Sequence, residues 1–129
     1  MNLSDEEVQA NLSRAEDSLL AANSLYEDGL YDFSASRSYY AAFYVTQALL
    51  LSEGITRSKH SGTIAALHQY FVKSGKLPRE CGTTIDDLFE LRGTGDYGGT
   101  EHVTPQSAAE AIDQAEEFVR SVKAYLEEC

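Results

Sequence analysis

The chain has no excess of basic residues, no long apolar run, no cysteine cluster and very little proline. Each shortage removes a class of function. Ten lysines and arginines stand against 21 aspartates and glutamates, a formal net charge of -11. That balance argues against unaided, non-specific binding of nucleic acid, which needs a basic face to displace counterions. It leaves room for a local basic pocket or for a basic protein partner, because net charge does not describe one cleft. No stretch approaches the ~18 apolar residues of a membrane span. The opening "MNLSDEEVQA" is acidic where a signal peptide is basic and then apolar. The expected location is therefore the cytoplasm, with no membrane partner. The two cysteines, Cys81 and Cys129, have no metal-ligand spacing, and an acidic cytosolic protein keeps both reduced. No cofactor or metal is expected.

Strand alternation, internal repeats and low-complexity linkers are also missing. At 129 residues the chain is long enough for one domain, spanning 1–129, with its own core. Its 43% hydrophobic content places it among globular rather than disordered chains.

Every long segment reads as helix. Ser4 followed by Glu7 has the pattern of a capping box. Val8, Leu12, Ala15, Leu19, Ala22 and Tyr26 then step by four and three along one face, and Gly29 is a stop signal. A second helix is predicted over 31–53, "YDFSASRSYYAAFYVTQALLLSE", before Gly54. Apolar and aromatic residues cover so much of its circumference that it must lie inside a bundle or face a second subunit. A third helix is predicted over 61–73, capped by Ser61 and closed by Gly75 and Pro78; a shorter fourth covers 79–92. The last opens with Thr104 as N-cap and Pro105 at the first helical position. The fold expected is all-α, an up-and-down bundle of four to five helices.

Few side chains can carry chemistry. Arg37, within "SASRSYYAAF", either snorkels to solvent or offers a cation to a phosphate. The run Lys59-His60-Ser61-Gly62 reads as a helix cap or an anion site. His60 and His68 are eight residues apart, which disfavours a two-histidine metal site, since helical pairs use i, i+4. The stretch "LRGTGDYGGTEHVTP", residues 91–105, holds four of the nine glycines together with Arg92, Asp96, Tyr97 and His102. It reads either as a helix connection, with Arg92 at or just beyond a helix end, or as a ligand loop. Arginine with histidine can serve a metal-free ribonuclease, one stabilising the phosphorane and the other moving the proton. His102 is ten residues past Arg92.

Taken in succession, "SASRSYYAAFYVTQALLLSEGI", "KHSGTIAALHQYFVKSGKLP", "LFELRGTGDYG" and "VTPQSAAEAIDQAEEFV" resemble the HEPN family. The likeness is to the small prokaryotic HEPN proteins encoded beside minimal nucleotidyltransferases, and it covers about 19–126. It implies an HEPN-like helical bundle, a homodimer, and the toxin-like half of a toxin–antitoxin pair. In active members an arginine, followed after four to six residues by a histidine, forms a metal-independent RNase site across the dimer. In some, a tyrosine just beyond that histidine is adenylated by the nucleotidyltransferase.

Arg92 matches the arginine, but the required spacing reaches Tyr97, Gly98 and Gly99 and no histidine. Arg92, Asp96 and Tyr97 instead resemble a subgroup with an "R…DY" pattern. The resemblance thus implies a degenerate RNase motif in a module that binds a nucleotidyltransferase partner. Arg37, Arg92, Asp96 and Tyr97 would hold a nucleotide or RNA phosphate, and Tyr97 is the candidate for adenylation. The alternatives are an active endoribonuclease toxin, with Arg92 and His102 catalytic or Tyr97 in place of His102, and a non-catalytic helical scaffold.

Overall fold

The computed structural model describes residues 5–128. Helices α1 (Glu6–Glu27), α2 (Tyr31–Ser52), α3 (His60–Leu67), α4 (Arg79–Tyr97) and α5 (Pro105–Glu128) follow in order. One π-helical turn, His68–Val72, extends α3. Among the described residues there is no strand, so the all-α expectation holds. No helix among them is long and apolar enough to cross a membrane.

The described cap of α1 is Asp5, whose carboxylate accepts from the Glu7 N–H at 2.8 Å and the Val8 N–H at 3.4 Å. Ser4, the expected cap, lies outside the described residues, as does Cys129. Of the expected α1 face, Val8, Ala15 and Ala22 are buried, while Leu12, Leu19 and Tyr26 are half-buried against the core and the polar Asn11 and Ser18 fill the buried positions between; Gly29 turns the chain at φ 76°.

Helix α2 is the centre of the bundle and packs against each of the other four helices. Small residues let its neighbours come close: Ser34, Ala35, Ser38, Ala41, Ala42 and Ala48 are all fully buried. The buried Ser34 hydroxyl donates to the Ala22 carbonyl of α1 at 2.8 Å, so this polar position is satisfied across the contact. Leu49 from α2, Leu67 and Phe71 from the α3 segment, Leu88 from α4 and Val122 from α5 meet in one core. Each such side chain stabilises the fold by about 1.5–3 kcal/mol through burial.

Two segments depart from the sequence-based boundaries. The third helix is not one α-helix capped by Ser61. It starts at His60, with Lys59 in the cap position and no side-chain cap bond. It then widens into the π turn, where the Lys73 N–H reaches the His68 carbonyl at 2.9 Å. There the His68 ring covers Gly82 of α4 so closely that a β-carbon would lie 2.6 Å from it. His68 Nε2 meets Asp86 at 3.1 Å, which gives this histidine a structural role.

The fourth helix does not end at Arg92 but continues through Gly93 and Gly95 to Tyr97. Arg92 is therefore an interior helix residue and not a terminal cation. A β-carbon on Gly95 would lie 2.7 Å from the backbone oxygen of Asp32, so α4 rests its bare backbone on the first turn of α2. Gly99, at φ 63°, starts the short link to α5. The α5 cap is as expected, with Thr104 Oγ1 accepting from the Ser107 N–H at 3.0 Å.

Candidate functional site

The continued helix fixes what Arg92 can reach. Its guanidinium carbon lies 5.2 Å from the ring centre of Phe89, 5.3 Å from Tyr39, 5.9 Å from Tyr40 and 6.0 Å from Tyr97. Those separations suit cation–π attraction, which strengthens as the cation loses water. Asp96, one turn further along α4, places a carboxylate oxygen 3.5 Å from Arg92 Nε. That contact neutralises charge without forming a hydrogen bond, and Nε is buried with no hydrogen-bond partner. A guanidinium N–H in this state is costly, because desolvation is not repaid by an acceptor.

Arg37 approaches the same aromatic pair from α2 itself. Its guanidinium carbon is 4.5 Å from the Tyr40 ring centre, so Tyr40 touches both candidate cations. Beyond Arg37 an open hollow of about 290 Å³ runs between α1 and α2, edged by Arg14, Asp17 and Tyr44. Tyr97 is 79% exposed and offers its ring and hydroxyl to solvent. The structure thus sets Asp96 and Tyr97 beside Arg92 on α4 and brings Arg92 and Arg37, from two helices, to the same Tyr40 ring.

His102 is held elsewhere. Its Nδ1 meets Asp32 Oδ2 at 2.7 Å, and the other Asp32 oxygen accepts from the Val103 N–H at 2.7 Å. The hydrogen bond from His102 and that from the Val103 N–H hold the Asp32 carboxyl below its usual value. His102 therefore fastens the α4–α5 link to the start of α2, with its side chain 70% exposed. Its charged neighbour is Asp32, whereas that of Arg92 is Asp96.

The histidine beside the aromatic pair is His60. Its ring stacks on Phe43 with centres 4.1 Å apart, and the centre of the Tyr40 ring lies 5.7 Å away, nearly perpendicular to it. Its Nδ1 is 2.7 Å from the Tyr39 hydroxyl. Burial, and secondarily the charge of Arg92, lowers the His60 pKa from its ordinary value. Burial pushes the Tyr39 hydroxyl well above the ordinary tyrosine range, so it keeps its proton. Sequence reasoning placed His60 at a helix start but not in this cluster. The available signal was the adjacent Tyr39-Tyr40 pair within an otherwise small-residue run, since consecutive helix residues face different neighbours.

An all-helical bundle whose half-buried arginine sits among aromatic rings beside a histidine and a carboxylate defines the class. Residues 8–125 match the HEPN domain model, and the chain belongs to that family. A UPF0332 protein of Gloeobacter violaceus is 40% identical over 121 residues, covering 93% of this chain and 96% of its own. Methanocaldococcus jannaschii has a relative named "Putative toxin MJ0605", 38% identical over 123 residues, covering 95% of this chain and 91% of its own. The crystal structure of ST0689, described as an archaeal HEPN homologue, shares the fold with a TM-score of 0.74 at 22% identity, covering 91% of this chain and 95% of that one. TT1696 from Thermus thermophilus does so at 0.77 and 20% identity, covering 97% and 99%.

Proposed function

We propose that this HEPN protein is the toxin-like component of a two-protein system, dimerising and pairing with a minimal nucleotidyltransferase. Its Arg92 site binds the phosphate of a nucleotide or RNA without cleaving it. The observation that carries the reading is the Arg92 guanidinium, 15% exposed, ringed by aromatic side chains and with Asp96 beside it at 3.5 Å rather than in a hydrogen bond. Its Nε is sealed, so a phosphate oxygen meets the outer guanidinium N–H groups, and arginine matches phosphate geometry better than lysine does. Tyr97, 79% exposed, offers a face on which a base can stack, a contact that tolerates any base. Arg37 adds a second cation against Tyr40, next to the α1–α2 hollow. The toxin name borne by two relatives supports the system-level part of the reading.

Non-cleavage follows from the missing histidine within four to six residues of Arg92 and from the engagement of His102 with Asp32. The test is calorimetric titration with adenosine 5′-monophosphate and with a short single-stranded RNA, in chelator. Wild type is expected to bind and leave the RNA intact. Arg92→Ala is expected to lose at least about tenfold in affinity, since a charged hydrogen bond contributes about 1.5–3 kcal/mol. RNA cleavage that disappears in Arg92→Ala favours the endoribonuclease alternative instead. Absence of both binding and cleavage leaves the scaffold.

A further inference from the structure

The geometry points to His60 as a second phosphate-binding residue of the Arg92 site, fixed by Tyr39 as an N–H donor rather than a base. This rests on the binding reading above and specifies how the site treats its ligand.

A hydrogen bond joins His60 to α2. Tyr39 is fully buried, and its hydroxyl hydrogen bond is to His60 Nδ1, at 2.7 Å. A phenol holds one proton and must place it somewhere when buried. Donating to Nδ1 satisfies it; accepting from Nδ1 strands that proton in the core. The first arrangement fixes the neutral imidazole with its hydrogen on Nε2. The lowered His60 pKa and the raised Tyr39 pKa favour the same neutral, singly protonated pair.

The ring is also fixed in position. Phe43 stacks on it at 4.1 Å with planes only 11° apart. Tyr39 and Tyr40 have centres 5.7 Å from it, and the Arg92 guanidinium borders those same two rings. His60 is half-buried while Tyr39 is sealed. Contact with a ligand therefore falls to His60, and Tyr39 is a positioning residue. The outer guanidinium N–H groups of Arg92 and the Nε2–H of His60 border one aromatic pair, which is the chemistry of an anion site. A base is what the arrangement withholds, because the only free nitrogen lone pair of the imidazole is taken by Tyr39.

The experiment combines imidazole nitrogen NMR with titration. At pH 7.5 His60 is expected in the Nε2–H form in wild type, and Tyr39→Phe, which removes the phenol proton, is expected to give a mixture of tautomers. His60→Ala is expected to weaken adenosine 5′-monophosphate and a 5′-hydroxyl hexaribonucleotide by about tenfold. His60→Gln, whose amide N–H stands near Nε2, is expected to recover most of that loss. A thermal melt checks that each variant folds. Weakening for the mononucleotide alone assigns His60 to a terminal phosphate, and weakening for both assigns it to a phosphate that RNA also presents. An Nδ1–H tautomer in wild type overturns the inference. So does wild-type affinity in His60→Ala when Arg92→Ala has lost binding; wild type binding neither probe instead removes the reading beneath it.

Discussion

The two halves of residues 91–105 carry similar residue types and behave in opposite ways. From 91 to 97 the chain is helix, with Arg92 against the rings of α2 and Asp96 beside it one turn on. From 98 to 104 it is a short link, and His102 is tied to Asp32 at the start of α2. Both halves contain two glycines. In the first half Gly95 permits close approach of two backbones; in the second Gly99 supplies a positive φ. The lesson is that glycine content marks unusual backbone demand without saying whether the demand is for contact or for turning.

The comparison breaks most forcefully at Gly95. Gly95→Ala puts a methyl 2.7 Å from the Asp32 backbone oxygen, and neither backbone can step aside cheaply. A loss of about 1–3 kcal/mol is expected, read by denaturant unfolding, with Arg92 displaced and its ligand affinity lowered. Asp32→Ala attacks the other half by removing the acceptor of Val103 N–H and of His102. A cost of about 1–2 kcal/mol is expected, with faster amide exchange at Val103 and little change in ligand affinity.

The same carboxylate gives a pH dependence whose sign is fixed. Its folded pKa lies below the ordinary value, so its contribution is fully present above about pH 4 and is lost as pH falls through the lowered value. Acid unfolding of wild type is therefore expected to be steeper than that of Asp32→Ala below about pH 4.

Smaller effects sharpen the contrast. Gly93 is also in α4, but a β-carbon there meets nothing within 4 Å. Gly93→Ala is expected to stabilise by about 0.5–1 kcal/mol, the reverse of its neighbour two residues on. His102→Ala, at a largely exposed position, is expected to shift stability by no more than about 0.5 kcal/mol. Phosphate affinity should then stay at the wild-type level. A loss of affinity as large as that of Arg92→Ala would return His102 to the site.

Most of the fold was legible in the sequence, because helical periodicity and end signals are local. The stripe through Val8, Ala15 and Ala22, the turns at Gly29 and Gly54, and the Thr104-Pro105 start are all found where the spacing puts them. The end of α4 was not, because two glycines within three positions carry a helix penalty of about 1 kcal/mol each. That local signal is overridden by packing on α2, which the sequence does not display. Arg37, Arg92, Asp96 and Tyr97 were legible as residue types, and the meeting of Arg37 and Arg92 at Tyr40 needed the fold. His60 was hidden for the same reason: Tyr39, its partner, is 21 residues away.

The π turn at His68–Val72 sets a limit on how this chain can change in length. Upstream of it, His60 is stacked on Phe43; within it, Phe71 is sealed in the core. An ordinary α-helix turns about 100° per residue, so one residue inserted between His60 and Phe71 carries one of these rings away from its place. A π turn holds one residue more than the α turn it replaces, so a single deletion within His68–Val72 straightens the helix and leaves both rings close to register. The segment thus acts as a ruler with slack in one direction: it tolerates losing one residue and not gaining one.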